Sequence, residues 1–308
     1  MPIYPADASP VVLDAAPLGR HSRAEPTAPP ADGAAEPGAA PRRAGRNLPA
    51  AIGVGAGLAA VVVGSLAVRR EAFLALVLIA VIYACVELRQ AMRAGGISLP
   101  RAPLIVGGAG LDVAAWARGP DGMVVALLLT FVGIAAWRLG DGPAGYARDV
   151  GAGAFVALYV PFLAGFAVLL AHPPDGAGRT VAFVLTVVCS DVGGYGVGVL
   201  IGRHPMAPTI SPKKSWEGFG GSLAACAIAG SALFALLFHH VWWIGALYGL
   251  AITASATLGD LGESMLKRGI GIKDMGRLLP GHGGLMDRLD SLLPSAAIAY
   301  LFLSFVLG

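Results

Sequence analysis

Apolar runs of about 20 residues, each long enough to cross the hydrocarbon core of a bilayer as a helix, recur from residue 48 to residue 307. They constrain this chain more than any other feature. Lipid offers no hydrogen-bond partners, so such a run must satisfy its own backbone, and a helix does that within one segment. The spacing predicts spans at 48–68, 71–88, 103–117, 122–137, 151–171, 180–201, 219–239, 241–259 and 291–307. Only 13% of the 308 residues are charged, against roughly 25% in a soluble domain, and the mean hydropathy is +0.71. The expected fold class is therefore an all-α polytopic membrane protein with about nine transmembrane helices.

Charge placement gives that count an orientation. With the N-terminus cytoplasmic, 18 of the 22 Lys and Arg residues fall before the first span or in inner links, and only Arg69, Arg70, Arg118 and Arg179 fall outside. Basic links stay on the cytoplasmic side. Removing one span would scramble this asymmetry, which supports the third, although Gly107, Gly108, Gly110 and Asp112 interrupt it. Residues 1–46 hold nine of the 22 prolines and no apolar run. They read as a disordered cytoplasmic tail, followed by N-terminal transmembrane helices over 47–179 and a catalytic transmembrane region over 180–308. The cysteines Cys85, Cys189 and Cys226 lie inside apolar segments without ligand spacing and read as packing residues.

Two polar links on the inner side break the apolar pattern. In the first, Asp260, Glu263, Ser264 and Lys267 are spaced i, i+3, i+4 and i+7. They share one face if the eighth span continues as helix beyond the membrane. Acids at the C-terminal end of a helix oppose its dipole, and a cation would offset that conflict. Asp287 and Asp290 precede the last span and follow Pro280, Gly281, His282, Gly283 and Gly284; they suit either helix capping or cation binding. Magnesium takes few carboxylates and completes its shell with water and phosphate, so Asp260 and Asp287 are the candidate metal ligands. The second link runs Ser211, Pro212, Lys213, Lys214, Ser215, Trp216, Glu217 and Gly218. Its ammonium and hydroxyl groups suit phosphate or lipid headgroups equally. Asp191 sits within a span, where an ionisable group faces a cavity or a partner, and is read as supporting the site. Gly194 and Gly198 form a small-residue packing face.

Several residues together resemble a known family. Ser264, Lys267, Arg268, Lys273 and Asp274, followed by Pro280, His282, Gly283, Gly284, Asp287, Arg288 and Asp290, resemble the defining motif of phosphatidate cytidylyltransferases, also called CDP-diacylglycerol synthases. Asp191, Gly193 and Tyr195 and the 211–218 link resemble its upstream region, with Ser215 where threonine is common. The resemblance implies a dimeric multi-pass membrane enzyme that converts CTP and phosphatidic acid to CDP-diacylglycerol and pyrophosphate; the charge placement puts its site on the cytoplasmic side of the cell membrane. It also implies Mg2+ on carboxylates matching Asp260 and Asp287, and allows a monovalent cation such as K+ nearby. The expected partners are CTP, phosphatidic acid, membrane lipids and a second copy of the chain, with no nucleic acid.

On this reading Asp260, Asp287, Lys267 and Ser264 act at the reacting groups, with Glu263 and Asp290 orienting them. Ser211, Lys213, Lys214, Arg268, Lys273, His282 and Arg288 are the candidate phosphate contacts. The rivals are a CTP-dependent lipid-alcohol kinase, which would release CDP, and a secondary transporter using Asp191. The confinement of polar motifs to the C-terminal half argues against a transporter, which shows paired features in two halves.

Overall fold

Each expected run that falls within the described residues is helical over most of its length, as the hydrogen-bonding demand of a lipid environment requires; the run at 219–239 leaves the helix after Leu236. In the computed structural model, which describes residues 57, 60–272, 275, 276 and 284–308, seven helices are long and apolar enough to cross a membrane. The tail at 1–46 and most of the expected span at 48–68 lie outside the described residues; 60–68 are helical. Residues 46–308 form one compact unit.

The first described long helix, α1 (Arg70–Ala94), ends at Gly95. Next comes α2 (Arg101–Leu139), which contains the two expected spans 103–117 and 122–137. It is not one straight rod. Gly119 adopts φ 67°, ψ −155° ahead of Pro120, a backbone region essentially restricted to glycine, and the chain folds back on itself. A Cβ on Gly133 would lie 3.7 Å from Pro103 Cβ, and one on Gly107 would press on Thr130. Those pairs lie on opposite sides of the turn, so the two halves of α2 run antiparallel and in contact.

Helix α3 (Tyr146–Ala157) passes through a π-helical turn at Leu158–Phe162 into α4 (Leu163–Ala171). Pro161 has no amide hydrogen and its ring crowds the preceding turn, which accounts for the widened register. The neighbouring wall is Gly108, where a side chain would stand 3.3 Å from the Pro161 ring.

The last third is packed closely through small residues. Helix α5 (Gly176–Ile201) meets α6 (Trp216–Leu236) where Gly194 faces Ser222 and Gly198 faces Gly218. Helix α6 meets α7 (Trp242–Ile270) where the backbones of Gly230 and Gly245 touch and Gly249 sits on the Cys226 carbonyl. Small-residue seams of this kind let helices associate in lipid, where apolar burial gives no advantage. Between α5 and α6 the 202–218 link is not all loop: β1 (Pro205–Ala207) and β2 (Ser211–Ser215) pair antiparallel. The chain finishes with the short α8 (Met286–Leu289) and α9 (Leu292–Leu307).

Contacts sort the links into two ends. At one end Arg70 donates to the carbonyls of His172 and Pro174 at 3.0 and 3.1 Å, and Arg179 donates to Gly308 O at 3.3 Å. At the other, Arg89 donates to Leu99 O at 2.9 Å, Arg138 to Asp149 at 2.8 Å, and Ile270 packs on Gly95.

Replacing Pro103 and Gly133 with cysteine in a background lacking the three native cysteines tests the fold-back. The 3.7 Å separation of the two Cβ positions suits a disulfide, so oxidation should cross-link the pair in high yield. In a continuous helix these positions would lie about 45 Å apart, and failure to cross-link would remove the hairpin.

Candidate active site

Helix α7 does continue beyond the apolar run, to Ile270, and stops where Gly271 turns left-handed at φ 77°, the usual glycine stop. Its last turns therefore present Asp260, Glu263 and Lys267 on one face. Glu263 and Asp287 both reach Lys267: its Nζ donates to Glu263 Oε2 at 2.6 Å and to Asp287 Oδ1 at 2.7 Å. The Glu263 side chain is fully buried, and those of Lys267 and Asp287 are 15% and 13% exposed. One ammonium thus bridges two helices and two acids.

The other oxygen of Asp287 does not cap a helix. Oδ2 accepts from the amide of Gly284 at 2.7 Å and from that of Met275 at 3.3 Å, so the carboxylate draws two stretches of the 275–286 link together. Asp290 is buried beside Glu263 and Asp260, with Oδ1 accepting from Ser291 N at 2.7 Å. From the β-hairpin, Lys214 Nζ reaches Asp260 Oδ2 at 2.5 Å. Here both partners are partly exposed, at 25% and 37%. In this structure the dipole conflict at the end of α7 is offset by ammonium groups, one for Asp260 and one for Glu263.

The remaining expected residues are placed more loosely. Ser264 and Ser211 are half-buried, Lys213 and Arg268 are exposed, and Arg288 is half-buried on α8 beside Asp287. Asp191 lies exposed on α5, in the stretch that packs on α6. Lys273 and His282 lie outside the described residues.

Two residues escaped the sequence reading. Glu87, on α1, is 3% exposed and its Oε2 accepts from the amide of Met286 at 2.7 Å. An acid at the end of an apolar span was the available signal, because burial of a charge there demands partners. Tyr159, in the π turn, faces Glu263, Asp290 and Asp260, and its hydroxyl is buried without a hydrogen-bond partner among the described residues. Nothing in its local sequence except the nearby Pro161 marked it.

The donor set suits a hard divalent cation in kind, being all carboxylate oxygen. Among the described residues no three acids, histidines or cysteines stand close enough to form a complete cage. Glu263 Oε1 is buried with no hydrogen-bond donor among the described residues, the Glu263 carboxyl lies against that of Asp290, and the Asp260 carboxylate is partly exposed. Such a site fits a cation that keeps water and takes further ligands from a phosphorylated substrate.

Residues 49–306 match the family described as the cytidylyltransferase family. The chain belongs to that family. It is 44% identical over 278 residues to a protein of Mycobacterium leprae (strain TN) named phosphatidate cytidylyltransferase, covering 85% of this chain and 89% of that one. A protein of the same name from Mycobacterium bovis (strain ATCC BAA-935 / AF2122/97) is 44% identical over 298 residues, covering 91% and 96%. One from Brucella suis biovar 1 (strain 1330) is 40% identical over 146 residues, covering 46% of this chain and 54% of its own.

The Lys267 bridge makes a stability prediction. Lys267→Met leaves Glu263 and Asp287 facing one another without a counter-charge and should cost about 3 kcal/mol. Adding Glu263→Met should recover more than half of the loss. A single variant that melts with the wild-type protein in the same detergent would show that the bridge carries no stability.

Proposed function

We propose that this membrane protein transfers the cytidylyl group of CTP to phosphatidic acid, forming CDP-diacylglycerol and pyrophosphate. The observation that carries the reading is the near-full-length similarity to proteins named for this activity. It is supported by acids and ammonium groups that meet at one end of the bundle. A phosphate oxygen of phosphatidic acid attacks the α-phosphorus of CTP in line. The new P–O bond forms as the bond to the α,β-bridging oxygen breaks, and that electron pair leaves with pyrophosphate.

A phosphate monoester is already anionic at neutral pH, so the step needs little help from a general base. Its difficulty is charge: two anions must meet and the leaving group gains more. Asp260 and Asp287 are the residues that would hold Mg2+, which when bound offsets that charge. Lys267 and Lys214 stand on those two acids, so they are placed to turn from carboxylate to phosphate oxygen as substrate arrives. Glu263 and Asp290 hold Lys267 and the end of α8 in position. Arg268 and Lys213, being exposed, suit the phosphates of CTP, and Ser211 and Ser264 can donate to the same oxygens. Lys273, His282 and Arg288 complete the basic set of the motif. Asp191, in the stretch of α5 that packs on α6, is read as supporting the site.

The same reading has nine spans, with the N-terminus and the site on the cytoplasmic side of the cell membrane, and a homodimer as the working unit. The fold-back at Gly119 supports the count, because it turns one long helix into two bilayer-length segments. The two-ended sorting of contacts and the placement of 18 of 22 basic residues support the orientation. Phosphatidic acid then arrives sideways from the inner leaflet and CTP from the cytoplasm. The reading also includes a monovalent cation such as K+ beside these carboxylates.

The test is an assay of purified protein with radiolabelled CTP and phosphatidic acid. Labelled CDP-diacylglycerol and pyrophosphate should appear with magnesium and stop on chelation. Asp287→Asn, which keeps size and removes charge, should lower kcat/KM by roughly a hundredfold or more. Release of CDP in place of pyrophosphate would identify a kinase and overturn the reading. An Asp287→Asn variant near wild type at limiting magnesium would overturn the metal assignment alone.

A further inference from the structure

We infer that Glu87 is a positioning residue for catalysis: its carboxylate holds the 284–286 turn that presents Asp287. It stands on α1, 199 residues before Met286, whose amide it accepts at 2.7 Å. Two segments wrap around it. A Cβ on Gly276 or on Gly284 would fall onto the Glu87 carboxylate itself. Neither glycine has a left-handed backbone, so both are required for space and not for their conformation. The same two segments are held from the other side by Asp287, which accepts from Met275 N and Gly284 N. The turn is thus gripped by two carboxylates, one of which is the acid being presented.

A merely space-filling role fits poorly. A buried carboxylate costs far more to bury than a leucine of similar size unless its hydrogen bonds repay the loss of water. What Glu87 supplies that a leucine does not is an acceptor for the amide next to Asp287. If that amide is released, Asp287 loses its fixed distance from Lys267, and displacements of this order cost large factors in rate. The inference rests on Asp287 acting in the reaction, as proposed above.

The experiment compares Glu87→Ala, Glu87→Gln, Gly284→Ala and the Glu87→Ala/Gly284→Ala double variant. Glu87→Ala and Gly284→Ala should each lower kcat/KM for CTP roughly ten- to a hundredfold. Glutamine still offers an oxygen acceptor, so Glu87→Gln should stay within about threefold of wild type. The two losses should not multiply: the double variant should lie within about threefold of the worse single one, as expected for residues acting through one contact.

Hydrogen exchange at the Met286 amide, read in the metal-free protein, should quicken roughly tenfold in both impaired variants and not in Glu87→Gln. Wild-type kcat/KM in Glu87→Ala, multiplied losses in the double variant, or Glu87→Gln as impaired as Glu87→Ala would each overturn the inference. Should Glu87→Ala fail to fold, Gly284→Ala decides, and unchanged turnover and exchange there overturn it. Failure of the Asp287 assignment would appear in Asp287→Asn alone, because amide exchange reports the placement of the turn whatever Asp287 does.

Discussion

The ammonium group of Lys267 is the point on which the site depends. It lies between a fully buried acid on α7 and a nearly buried one on α8, and without it neither carboxylate is tolerable where it stands. Charges in a poorly solvated setting persist only when paired and hydrogen-bonded. That requirement fixes the distance between the end of one membrane helix and the start of the next. Met275 and Gly284 are then tied to Asp287 through their amides, and Asp290 is carried into the same neighbourhood by the turn of α8.

The rest of the bundle holds these parts still. The seams between α5, α6 and α7 bring backbones together at Gly230, Gly245 and Gly249, leaving little freedom for α7 to slide. The β-hairpin is held at its base by Glu217, which accepts from the amides of Arg203 and His204 at 3.1 and 3.2 Å. It therefore delivers Lys214 to Asp260 from a defined direction. From the other side α1 brings Glu87. The site is thus assembled from elements near residues 87, 159, 214, 260 and 287, although only the last three lie in its polar links.

Helix positions were readable in the sequence because hydrocarbon leaves the backbone one economical option, and apolar length reports it directly. The continuation of α7 to Ile270 was legible from the i, i+3, i+4 and i+7 spacing of Asp260, Glu263, Ser264 and Lys267. The identity of the charges that answer those acids was not: spacing on one helix says nothing of Lys214 arriving from a hairpin. Asp287 was open between cap and ligand, and its bonds to Met275 and Gly284 depend on a tertiary fold of the link. The β-strands at 205–207 and 211–215 are too short to show a period. Glu87 and Tyr159 were harder to place for a related reason, since the partners of each lie far along the chain.

The sharing of Lys267 by Glu263 and Asp287, and the pairing of Lys214 with Asp260, have a consequence for how these acids meet their surroundings. Opposite charges in contact cancel at short range, so these pairs project less field into the aqueous phase than bare carboxylates would, and a screening length of about 8 Å at physiological salt shortens its reach further. On the proposed reading, a triphosphate that binds here takes over ammonium groups already held by carboxylates, exchanging one counter-charge for another.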